Sequence, residues 1–137
     1  MVNVIVVTHG EFGAYLIEAA EEIVGAQDAG VRCVSISSRV SVPEVQEKFR
    51  AAVEALRCED GLLVLVDIPG GTPCNVAMRV IKDEPKVRVL CGVNLYMLVT
   101  AFSHRGQADL DALAQKVLSA GQRAIVDMKT VFASMRN

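Results

Sequence analysis

A histidine, a carboxylate and a glycine-rich turn carry the chemistry that this chain offers. His9 follows the apolar run that opens "VVTHGEFG" (residues 6–13), Asp67 ends "GLLVLVD" (61–67), and Gly70, Gly71 and Thr72 come next in "DIPGGTPCN" (67–75). A carboxylate that accepts one imidazole N–H fixes the tautomer and leaves the other ring nitrogen unprotonated, oriented and nucleophilic. His9 beside Asp67 is therefore a candidate nucleophile. Gly70 and Gly71 let the backbone turn tightly, and Thr72 opens a helix whose unsatisfied N–H groups and partial positive charge suit an anion. A phosphoryl group is the anion expected beside the imidazole.

Each residue alone has a plainer reading. A strand-end histidine is often a turn residue, Asp67 a solvated acid, and "GGTP" a turn followed by a helix start. The chemical reading depends on all of them meeting at one place, so the elements that position them decide it.

Runs rich in valine and isoleucine alternate with stretches of helical period, the pattern of a parallel sheet covered by helices on both faces. Strands are expected at about 2–7, 31–36, 61–67 and 87–90. The first helix carries Phe12, Leu16, Ala19 and Ile23, with Ile17, Ala20 and Val24 widening the stripe before Gly25 closes it. The second opens at Ser41, with Pro43 in its first turn and Glu44 completing a capping box, and runs to about residue 57. Thr72 and Pro73 cap and start a third, which turns Val76, Ala77, Val80 and Ile81 inward. A short helix covers about 95–102, and another carries Leu110, Leu113, Ala114, Val117 and Leu118 up to Gly121. "AIVDMKTVF" (124–132) reads as a last strand.

The expected fold is α/β: a doubly wound, mainly parallel sheet with helices on both faces. In such sheets ligands bind outside the carboxyl ends of the strands, where the strand order reverses. With the flavodoxin-like order 2-1-3-4, strands one and three are neighbours, and His9 emerges beside Asp67.

Composition narrows the classes of function. The 137 residues, 52% of them hydrophobic, are the size of one domain with one substantial core, and no repeat, low-complexity tract or linker divides 1–137. Fourteen basic residues against sixteen acidic ones leave a formal charge of -2, which disfavours nucleic acid and anionic lipid as partners. Cys33, Cys58, Cys74 and Cys91 form no C-x-x-C pair and no zinc-ligand spacing, so they read as reduced thiols of a cytosol. The run at 2–7 is too short for a signal-peptide core. The longest apolar stretch, "VLCGVNLYMLVTAF" (89–102), falls short of a membrane span and contains Asn94, so a cytoplasmic location is expected. A flavin or nucleotide site ranks last, because the first strand lacks a G-x-G-x-x-G pattern and aromatics make up 4% of residues.

"VTHGEFG" before a helix, "DIPGGTPCN" after a hydrophobic strand and "GVNLYMLVTA" after the fourth strand together resemble the mannose-type enzyme IIA domains of the bacterial phosphoenolpyruvate:sugar phosphotransferase system. The resemblance extends over nearly the whole chain. It implies that His9 is phosphorylated by the phosphocarrier protein HPr and passes the group to an enzyme IIB, with a membrane involved only indirectly through a sugar permease. It further implies that Asp67 holds the imidazole and that Gly70, Gly71 and Thr72 receive the phosphate, with no cofactor or metal. A homodimer in which the C-terminal strand crosses to the partner is also implied. A regulatory phosphotransfer protein of the same fold, which controls a partner by its phosphorylation state without sugar transport, fits the same residues. The related phosphotransfer subunit of dihydroxyacetone kinases fits less well, given the intact "GGTP" turn.

The chain departs from the family pattern at Pro69, where a bulky aromatic is usual, at Thr72, which replaces a serine, and at Cys74, which replaces a larger residue. Threonine keeps the hydroxyl and the backbone N–H that phosphate needs. Phe12 and Met97 are candidates for an apolar rim around His9, or else for the core. Arg39 is a candidate to steer an acidic or phosphorylated partner, or else a plain surface arginine, His104 reads as a solvated loop residue, and Cys74 as a packing residue with some scope for redox sensitivity.

Overall fold

Unbroken apolar strands have no face suited to water, so they require cover on both sides. The computed structural model describes residues 1–136 and places β1 (Asn3–His9), β2 (Val31–Ile36), β3 (Leu62–Val66) and β4 (Val87–Cys91) in one parallel sheet ordered β2-β1-β3-β4. Every residue of β3 is buried. The helices are α1 (Phe12–Val24), α2 (Val42–Leu56), α3 (Thr72–Ile81), α4 (Leu95–His104), α5 (Leu110–Arg123) and α6 (Met128–Met135).

The period-two alternation of the strands divides the core into two layers. Val4 and Val6 of β1 join Leu63 and Leu65 of β3 against Ala20 of α1, Leu98 of α4 and Val117 of α5. Ile5, Val7, Val64 and Val66 face the other way, against Phe49 of α2 and Val76 of α3. Phe49 and Leu98 are fully buried. Burying a side chain of that size contributes on the order of 2–3 kcal/mol, so packing rather than helix propensity fixes these helices on the sheet.

Local signals set where the helices begin. Ser41 Oγ accepts the Glu44 N–H at 3.3 Å, with Pro43 in the first turn of α2. Asn94 Oδ1 accepts the Met97 N–H at 3.0 Å at the start of α4, and Asp109 Oδ1 accepts the Ala112 N–H at 2.8 Å at the start of α5. Each satisfies a donor that a helix end leaves open.

Three features depart from the sequence pattern. The inward stripe of α1 is rotated from the expected one: Gly13 and Ala20 are buried and Leu16, Ile17 and Val24 pack against the core, while Phe12 and Ile23 are exposed. At α3 the cap is Gly71 and Thr72 is the first helical residue, with no side-chain capping bond. The third departure is the tail. The strand expected at 124–132 is not formed; Asp127 Oδ1 instead accepts the N–H groups of Lys129 and Thr130 at 3.0 and 3.3 Å and starts α6. Met128, Val131, Phe132 and Met135 have the spacing of one helix face, which outweighs the strand-like composition. The strand exchange of a dimer therefore has no extended segment to act through among the described residues.

Candidate functional site

The parallel pairing of β1 with β3 brings the two sequence-distant residues together. Val7 is in register with Val66, so Asp67 is one residue and His9 two residues past that pair. Alternation along β1 sends Thr8 towards α1 and His9 towards α3. The Asp67 N–H donates to Val7 O at 3.2 Å and keeps the chain on the strand path as it leaves the sheet.

Asp67 then folds its carboxylate back. Its Oδ2 accepts the backbone N–H of His9 and approaches His9 Nδ1, both at 2.9 Å, while Oδ1 accepts the Ile68 N–H at 2.8 Å. The carboxylate is 9% exposed and the imidazole 54%. Burial alone would raise the Asp67 carboxyl, yet the N–H groups of His9 and Ile68 together with the imidazole hold it below the usual carboxylate range. An ionised acceptor at Nδ1 favours the tautomer with its proton there. Nε2 is then the nitrogen with a free lone pair, on the exposed side of the ring.

The glycine turn lies against that ring. A Cβ built on Gly71 would stand 3.8 Å from His9 Cε1. Gly70 has φ +79°, a conformation that side-chain-bearing residues rarely adopt. Gly71 O accepts the Asn75 N–H at 3.0 Å. The N–H groups of Thr72 and Cys74 have no intrahelical partner, as in any first turn, and Pro73 has none to offer. His9 and Asp67 thus meet directly, and Gly70, Gly71 and Thr72 form the turn beside the ring.

Other sequence candidates divide. Phe12 is 49% exposed at the start of α1, whereas Met97 is 2% exposed and belongs to the core. Arg39 is exposed in the turn between β2 and α2, at the same edge of the sheet. His104 ends α4 beside Arg105, whose guanidinium binds Val2 O at the opposite end of β1, so it is remote from His9.

Two features of the site region are not plainly legible in the sequence. Thr8 is fully buried; its hydroxyl accepts the Gly13 N–H at 2.8 Å and donates to Gly10 O at 3.3 Å, closing the turn that follows His9. Ile68, directly after Asp67, exposes half of its surface, and Val40 in the turn after β2 and Val42 at the start of α2 are exposed apolar residues as well. Ile68 could have been read from its position after a strand-end acid; the turn closed by Thr8 leaves no signal beyond a threonine before the histidine.

A family model described as the PTS system fructose IIA component, PTS being the phosphotransferase system, matches residues 3–118. The chain belongs to this family. Among relatives of this IIA chain, the PTS system fructose-specific EIIA component of Bacillus subtilis (strain 168) is 31% identical over 124 residues, covering 90% of this chain and 84% of that protein. The PTS system mannose-specific EIIAB component of Escherichia coli (strain K12) is 29% identical over 129 residues and 93% of this chain. The IIA chain spans 40% of the length of that relative. A solved structure of phosphotransferase system component EIIA from Streptococcus agalactiae superposes with a TM-score of 0.81 at 30% identity, covering 95% of this chain and 99% of that one. Among the described residues of the IIA chain no helix is long and apolar enough to cross a membrane, and no group of three or more His, Cys, Asp or Glu side chains is placed to hold a metal ion.

Proposed function

We propose that this IIA chain is a phosphohistidine relay of the sugar phosphotransferase system, taking a phosphoryl group from phospho-HPr on His9 Nε2 and passing it to an enzyme IIB. The observation that carries the reading is the 2.9 Å contact of His9 Nδ1 with Asp67 Oδ2, which turns Nε2 outwards next to the Gly71 turn. The migrating group is loose and metaphosphate-like, so it needs positioning and charge neutralisation more than covalent help. The lone pair of Nε2 forms the new P–N bond as the bond to the donor breaks. The proton on Nδ1 stays there, held by a carboxylate that also stabilises the positive character of the ring. Gly70, Gly71 and Thr72 receive the phosphoryl oxygens at the first turn of α3, whose open N–H groups and dipole supply neutralisation without a metal.

Donor and acceptor proteins would dock at the exposed apolar side chains of Phe12, Ile68, Val40 and Val42, with the exposed Arg39 at the same edge of the sheet. The same proposal places the protein in the cytoplasm, treats 1–137 as one domain and pairs two copies as a homodimer. Incubation with phosphoenolpyruvate, enzyme I and HPr tests it. The expected result is an acid-labile, base-stable label on His9 that His9→Ala abolishes and His104→Ala leaves; a label that survives His9→Ala would overturn it.

A further inference from the structure

Cys74 and Cys91 are far apart in sequence, but their Sγ atoms lie 3.3 Å from each other. Cys74 sits in the first turn of α3, directly after the Gly70–Pro73 stretch, and Cys91 is the last residue of β4. Both are free and half-buried at the margin of the layer between the sheet and α3. A disulfide needs the sulfurs about 2.0 Å apart, so closure requires an approach of roughly 1.3 Å. We propose that Cys74 and Cys91 are an oxidant-sensitive dithiol, and that their disulfide slows phosphoryl transfer at His9.

Cys74 follows the exposed residues 68–70 in the first turn of α3 and is the thiol that meets the oxidant first, while burial, and then the neighbouring Cys74, push the Cys91 thiol up to about 11. With a hydroperoxide as oxidant, the Cys74 sulfur takes the terminal oxygen, the O–O bond breaks, and a sulfenic acid and one water or alcohol result. Cys91 then attacks the Cys74 sulfur, its proton leaves with the hydroxyl as water, and the S–S bond forms. Two thiols are oxidised and one peroxide is reduced, with no further reagent.

The sheet order gives the bond a direction. β4 lies across β3 from β1, so drawing Cys74 towards Cys91 pulls the first turn of α3 away from the His9 side. Gly71, now beside the ring, moves with it. A displacement on the order of 1 Å at a reacting centre costs up to about 100-fold in rate. The bond itself is independent of the phosphoryl reading; only its effect on transfer rests on it.

The full-length chain treated with hydrogen peroxide is expected to fall from four titratable thiols to two, with a Cys74–Cys91 peptide in a non-reducing digest and recovery of all four in dithiothreitol. Labelling of His9 by phospho-HPr should fall by about tenfold or more in the oxidised chain, recover on reduction, and be insensitive to peroxide in Cys74→Ser, which lacks the thiol attacked first. Loss of thiols at Cys33 or Cys58 instead, or over-oxidised Cys74 beside a free Cys91, would overturn the dithiol. A mapped disulfide with unaltered transfer would overturn the switch. Absence of label in the reduced chain with the disulfide still formed would count against the phosphoryl reading and leave the dithiol standing.

Discussion

One oxygen of Asp67, Oδ2, contacts both the backbone N–H and the ring Nδ1 of His9, each at 2.9 Å. The backbone bond fixes the carboxylate relative to the end of β1, and the ring bond fixes the imidazole relative to the carboxylate. Neither the side chain nor the tautomer of His9 can change without giving up one of them.

Asp67→Asn keeps the shape and loses the charge. The amide can still accept a hydrogen bond, but it no longer enforces the proton on Nδ1 or stabilises a positive ring. The variant should fold and take the phosphoryl group roughly 100-fold or more slowly, by the measure of aspartate removal in other aspartate-oriented histidines. Rapid-quench transfer from phospho-HPr measures this, and a wild-type rate would remove the role given to Asp67. Thr72→Ala should have a smaller effect, because the backbone N–H at that position remains.

The same carboxylate sets a pH dependence of stability. Its pKa is lowered on folding, so its contribution is fully present above the unfolded value near ~3.9 and is lost as the pH falls through the lower folded value. Denaturant midpoints of the wild type and Asp67→Asn should therefore differ at about pH 5 and draw together as the pH falls below about 4. A gap that persists unchanged at the acid end would show that the carboxylate's charge contributes nothing to the fold.

Thr8 makes a separate prediction. Its hydroxyl is the acceptor for the Gly13 N–H, in a place with no room for rearrangement: a Cβ on Gly13 would come within 2.9 Å of both Thr8 Oγ1 and Cys33 Sγ. Thr8→Val keeps the volume and leaves that buried donor unsatisfied, at a cost of about 1–3 kcal/mol. Thr8→Ser should recover most of the loss. Equal urea midpoints for wild type and Thr8→Val would contradict the turn-closing role.

Much of this was legible in the sequence because parallel strands that are buried on both faces announce themselves as unbroken apolar runs. The bounds of β2 were as expected, and the order β2-β1-β3-β4 brings His9 and Asp67 together across fifty-eight residues of sequence. Contacts made by loops were not legible, since they depend on where a chain turns. The closeness of Cys74 to Cys91 follows from β4 lying next to β3 and α3 leaning over both, which no spacing encodes. At the tail the composition pointed to a strand while the capping Asp127 and the spacing of Met128, Phe132 and Met135 pointed to a helix. Local capping decided it, because among the described residues no sheet edge pairs with the segment.

The tail also carries the last prediction. None of its residues from Met128 to Met135 is buried, and Ile125, Phe132 and Met135 are 85%, 62% and 75% exposed. An eight-residue helix is marginal in water without tertiary support, and exposed apolar side chains of this size mark a surface that a partner covers. A groove of about 810 Å³ lined by Ile23, Leu95, Tyr96, Val99 and Ile125 lies next to it. Two copies related by a twofold axis could cover both surfaces at once, each giving its α6 to the other, which is the arrangement expected of a closed dimer. The full chain should therefore weigh as a dimer in light scattering at micromolar concentration. Truncation after Arg123 should give a folded monomer that keeps the far-ultraviolet signature of the sheet and of α1 to α5, and Phe132→Asp should shift the equilibrium the same way. A full chain that stays monomeric as its concentration is raised would rule out the pairing.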